Sequence, residues 1–88
     1  MRISIEDSRT GKVLRIDVKD NQRIQRIIDM IIKTLGILDI EGRSFTLVLN
    51  DQELPTTITI DHAVHKYGLK ENDKLTLWTK VLGGMKNL

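Results

Sequence analysis

Two histidines three residues apart, His62 and His65, have the spacing of metal ligands in this sequence. On a helical turn that spacing can hold a metal, but a site needs further ligands. No third ligand is evident, so the pair reads as two solvated histidines. Glu6, Asp7, Asp17 and Asp20 are dispersed along segments that look like strands and turns. They read as solvated charge rather than a catalytic carboxylate pair. The absence of cysteine excludes a disulfide framework, a thiolate zinc site and a cysteine nucleophile. It fits a cytoplasmic location. There is no Gly-rich phosphate loop and no Ser-His-Asp candidate, so no enzymatic activity is expected, and no cofactor or metal is implied. The stretch with chemical promise is TLWTKVLGGMKNL, with Trp78 on its strand and the pair Gly83 and Gly84 behind it. A glycine pair near a chain end is by itself often only a frayed tail. Its meaning depends on the elements in front of it.

Those elements must be economical. With 88 residues the chain makes one domain, and a chain this short buries only roughly 60% of its unfolded surface. Aromatics are limited to Phe45, Tyr67 and Trp78, so Ile, Leu and Val must build the core. Fourteen basic residues against 12 acidic ones leave a net charge of +2. The charges are interleaved, which gives no nucleic-acid or membrane footprint. The opening RISIED alternates polar and apolar, unlike the apolar core of a secretory signal, and no stretch is long enough to span a bilayer. A monomer is expected.

RISIE puts Ile3 and Ile5 on one face, and KVLRIDV does the same with Leu14, Ile16 and Val18. Period-two alternation predicts strands, and the turn-rich DSRTG between them predicts a hairpin. In DNQRIQRIIDMIIKTLG the positions Ile24, Ile27, Ile28, Ile31 and Leu35 form one helical stripe. Arg23, Arg26, Asp29, Met30 and Lys33 fall on the opposite side; Asp20 or Asn21 is the expected cap, and Gly36 the expected stop. FTLVL predicts a strand, with Phe45, Leu47 and Leu49 on one face and Thr46 and Val48 on the other, closed by a turn at NDQ. TTITI reads as a short strand or an extended loop. Asp61 is the expected cap of a single helical turn, HAVHKYG. LTLWTKV closes the domain, with Leu75 and Leu77 inward and Thr76 and Trp78 outward. The expected fold is α+β: a mixed sheet of four to five strands packed on one long helix, which is a β-grasp. Residues 1–82 are expected to be that domain, and 83–88 a flexible tail.

The chain resembles ubiquitin over nearly its whole length, at low residue identity. The likeness is carried by MRISI at the start, by the hairpin turn Thr10, Gly11 and Lys12, by TLVLNDQEL, and by Tyr67 and Leu69 before the last strand. From Tyr67 the spacing to the glycine pair, YGLKENDKLTLWTKVLGG, matches ubiquitin without a gap. The segment between Leu54 and Tyr67 is longer than in ubiquitin, and ILDIEG lacks ubiquitin's proline pair.

The resemblance implies a ubiquitin-like protein modifier. A precursor would be cleaved after Gly84, releasing Met85, Lys86, Asn87 and Leu88. The terminal carboxylate would become an acyl-adenylate, then a thioester, then an amide on a target lysine. Glycine suits this because a residue without Cβ passes a narrow enzyme channel. Implied partners are an E1-like activating enzyme, optionally an E2-like enzyme, a processing protease of the JAMM metalloprotease type, and target proteins. The distance from eukaryotic ubiquitin points to a prokaryotic system.

Lys80 and Leu82 stand where ubiquitin alternates arginines, so ubiquitin's own activating enzyme is not expected to act here. Trp78 and Val48 correspond to the surface by which ubiquitin meets partners and Arg9 to a leucine of it, so Trp78, Val48, Thr76, Arg9 and Lys80 are the expected partner-binding surface. Exposed tryptophan is a hot-spot residue type, unless TTITI folds over it. Gln52 and Glu71 replace the two main linkage lysines, and Lys12 and Lys33 fall near others, which favours single attachment. The alternative is a non-conjugated ubiquitin-like binding module of a bacterial secretion or other complex, or a sulfur carrier. Sulfur carriers usually end at the glycines.

Overall fold

The computed structural model describes residues 1–37 and 43–81. The chain runs β1 (Arg2–Asp7), β2 (Val13–Asp17), α1 (Ile24–Leu35), β3 (Arg43–Leu49), β4 (Gln52–Leu54), α2 (Ile60–Tyr67) and β5 (Lys74–Val81). The strands form one sheet in the order β2-β1-β5-β3-β4. β1 and β5 pair in parallel and every other pair is antiparallel. This is a small α+β fold, a mixed five-stranded sheet with two helices, compatible with a β-grasp. The expected tail, with Gly83 and Gly84, lies outside the described residues, as does most of ILDIEG.

The core follows from the apolar periods. Ile24, Ile27, Ile28 and Ile31 of α1 are buried, while Arg23, Arg26, Asp29, Met30 and Lys33 are exposed. Across from them the sheet supplies Ile3, Ile5, Leu47, Leu49, Leu54, Leu75 and Leu77. Burying one such side chain is worth about 1.5–3 kcal/mol. Gly36 ends α1 in the left-handed conformation, its amide donating back to the Ile32 and Lys33 carbonyls. Asn50 and Asp51, both at positive φ, turn β3 into β4, a conformation that Asn and Asp tolerate better than most residues.

Three expectations about the elements are corrected. Beside α1 stands a second helix rather than the expected single turn, because HAVHKY extends to the eight residues of α2. Its cap is Thr59, not Asp61: the Thr59 hydroxyl accepts from the His62 amide at 3.2 Å. Asp61 instead lies in the first turn, where its charge favours the helix dipole. At the start of α1 neither Asp20 nor Asn21 is the cap. Arg23 holds that position and makes no side-chain cap bond. The first helical amides, of Ile24 and Gln25, donate to the Ile58 and Thr56 carbonyls, both at 2.9 Å. In return the Ile60 and Asp61 amides donate to the carbonyls of Gln22 and Asp20. The TTITI segment is therefore not a strand of the sheet. It zips the starts of the two helices together, and Arg23 adds a side-chain bond to the Thr57 carbonyl.

Replacing the hydroxyl cap should cost more than removing the nearby charge. Thr59→Ala is expected to lower the unfolding free energy by about 1 kcal/mol. Asp61→Ala is expected to lower it by less than half of that, with urea denaturation of both variants as the check.

Candidate interaction surface

The sheet face away from α1 is set by β5, which lies between β1 and β3. Its alternation sends Leu75 and Leu77 into the core and leaves Thr76, Trp78 and Lys80 on the other side. Thr76 stands opposite Glu6 on β1 and Val48 on β3. Trp78 stands opposite Thr46, so Val48 is its diagonal neighbour rather than its direct one. Val48 and Thr76 are half-buried and Trp78 is 49% exposed. The segment before α2 does not cover it, being tied instead to the start of α1. Trp78, Val48 and Thr76 thus share one face.

Two ion pairs frame that face. Lys74 Nζ meets Glu6 Oε1 at 2.8 Å, and Lys80 Nζ meets Glu53 Oε2 at 3.1 Å. The Lys80 ammonium, and then the Thr46 hydroxyl, hold the Glu53 carboxyl below its ordinary range. Thr46 is 4% exposed, and its hydroxyl makes no hydrogen bond of good geometry among the described residues, although it lies close enough to favour the ionised Glu53. The ion pairs are exposed and add little stability. Thr46, Thr76 and Val48 are the sheet neighbours of the indole, and Lys80, two residues along β5, is matched by Glu53.

Arg9 does not join this surface. Its guanidinium lies 5.9 Å from the centre of the Phe45 ring, and Phe45 alternates to the side opposite Thr46. The physical reason is Asp7. It was expected to be solvated charge, but it is 2% exposed, in phase with Ile3 and Ile5 on the inner face of β1. Its carboxylate accepts from the Arg9 amide and the Thr10 hydroxyl, each at 3.0 Å, and Arg9 Nε stands 3.5 Å away. Burial pushes the Asp7 carboxyl up. The bonds from Arg9 and Thr10, with the Arg9 charge, outweigh burial and hold it below its ordinary value. The signal in the sequence was the odd-numbered alternation Ile3, Ile5, Asp7 together with Thr10 three residues on, an aspartate-led turn.

His62 and His65 are both exposed on α2. His62 lies against the Tyr67 ring, and His65 Nδ1 is 2.9 Å from the Asp61 carbonyl. Among the described residues no group of three or more His, Cys, Asp or Glu could hold a metal ion. None of their helices is long and apolar enough to cross a membrane.

No protein-family model matches the sequence, and a search of curated proteins finds no match either. Fold and surface together define a small α+β domain that presents a tryptophan-centred sheet face.

Asp7 ties stability to pH. Its folded value lies below its unfolded one, so its contribution is fully present above the ordinary carboxylate range and is lost as pH falls through the folded value. Asp7→Asn should destabilise by about 1–3 kcal/mol at neutral pH. The gap from the unaltered protein should narrow in melts taken at successively lower pH beneath the ordinary carboxylate range. The single tryptophan reports on the surface. Half-exposed Trp78 should be quenched by iodide in the native state nearly as well as in urea.

Proposed function

We propose that the protein is a ubiquitin-like modifier of the β-grasp class. It is processed after Gly84, activated by an E1-like enzyme, and joined through the Gly84 carboxylate to lysines of target proteins in a prokaryotic cytoplasm. An E2-like enzyme and a JAMM-type protease are further partners on this reading. One observation carries the reading. In a fold compatible with a β-grasp, β5 is a central strand ending at Val81, two residues before Gly83 and Gly84. A firmly held strand followed in the sequence, after Leu82, by two residues without Cβ is the arrangement this chemistry needs. The sheet anchors the protein while the narrow end enters a channel.

A second reading has its own support. The exposed Trp78, framed by matched charges, suits a non-covalent module whose partner packs on the indole. The two readings separate on one variant. Gly84→Ala abolishes the work of a modifier and leaves a binding module untouched. Trp78→Ala weakens partner binding in both cases, by about 2 kcal/mol or roughly 30-fold in Kd for a hot-spot residue.

The direct test is mass spectrometry of the protein from its own cells. Species ending at Gly84, and target lysines carrying a Val-Leu-Gly-Gly remnant after tryptic cleavage at Lys80, are expected. Uncleaved protein only, with no remnant-bearing lysine, rejects conjugation and leaves the binding module.

A further inference from the structure

β2 is an open edge of the sheet, and among the described residues nothing pairs with its outer side. The hydrogen-bond pattern says which groups are free. Val18 and Met1 exchange backbone bonds, and the Asp7 amide donates to the Lys12 carbonyl. In the antiparallel ladder between them, Leu14 and Ile16 therefore bond to β1, and the amides and carbonyls of Val13, Arg15 and Asp17 point away from the sheet. The side chains of Arg15 and Asp17 are exposed, and Val13 is 53% exposed. Leu14 and Ile16 are only half-buried at the rim of the core.

Charges on an edge strand commonly serve to keep other strands away. Here their order does the reverse for one partner, a second copy of this strand. An antiparallel pair of β2 edges related by a two-fold axis has few registers that match free groups to free groups. Centring on Arg15 sets Arg15 against Arg15. Centring on Asp17 sets Asp17 against Asp17 and Arg15 against Lys19. Centring on Leu14 matches no charges. Centring on Ile16 sets Arg15 against Asp17 twice, with the two Ile16 side chains facing each other on the helix side. Opposite charges directly across a strand pair stabilise it, and like charges destabilise it.

We propose that two copies of the protein associate through β2 in the register centred on Ile16, joining their sheets into one. Arg15 and Asp17 of each copy exchange backbone bonds with Asp17 and Arg15 of the other, four bonds in all by the antiparallel pattern. Asp17 already holds Arg2 at 3.0 Å on its own chain, and it remains exposed enough to accept a second guanidinium. The association does not involve the Trp78 strand or the glycine pair, so it stands independently of conjugation.

The test is sedimentation velocity of the full chain at concentrations up to about 1 mM, with circular dichroism to show that each variant is folded. The unaltered protein is expected to dimerise with rising concentration. Arg15→Glu and Asp17→Lys, each alone, place like charges across both pairs and should raise the dissociation constant tenfold or more. Mixing the two variants restores opposite charges at both pairs, so a heterodimer should form. A monomer throughout the range overturns the proposal. So does a dimer indifferent to both substitutions, or a mixture that fails to reassociate.

Discussion

The parallel pairing of β1 with β5 is the joint on which the rest of this structure depends. Ser4 lies beside Lys74, Ile5 beside Leu75 and Asp7 beside Leu77. The Ser4 and Asn72 amides close the near end and the Ser8 amide the far end. Parallel strands cannot be joined by a tight turn. Everything between β1 and β5 must therefore serve as their connection, and α1 uses that passage to bury its isoleucine stripe. With β5 seated in the middle of the sheet, both its flanks are occupied, and its outward residues lie on a broad surface rather than an edge.

That seating also explains the character of the Trp78 face. A residue on a central strand has neighbours on two sides, and here these are hydroxyls, a valine and two lysine–glutamate pairs. The lysine heads are held by carboxylates. What an approaching molecule meets is an indole with small, weakly polar surroundings. On the proposed reading, recognition there would rest on shape and apolar contact more than on long-range attraction.

The strands and the long helix were legible because their signal is periodic. Ile24, Ile27, Ile28 and Ile31 repeat with the helix, and Leu75 and Leu77 alternate around Thr76. What escaped was decided by partners distant in sequence. The amides that begin α1 are satisfied by carbonyls of Thr56 and Ile58, which no local capping rule reveals. Thr59 displaced Asp61 as a cap because helix α2 begins two residues earlier than the local pattern suggested. β4 is only three residues long and its alternation is too short to register. Arg9 was assigned to the partner surface by resemblance, but a buried carboxylate two residues earlier draws it to the other side.

The sheet order has a further consequence for how the molecule comes into being. β5 is the last described strand to be synthesised, yet it fills the centre of the sheet. Until it emerges from the ribosome, the β1–β2 hairpin and the β3–β4 hairpin have no strand between them. Ile5 and Leu47 then lack their neighbours Leu75 and Leu77. Such a nascent chain exposes two unfinished sheet edges together with the apolar stripe of α1. Closure then waits on contacts between strands far apart in the chain, the slow class of folding step. The domain is assembled by its final piece, like an arch that cannot bear load until the keystone is set.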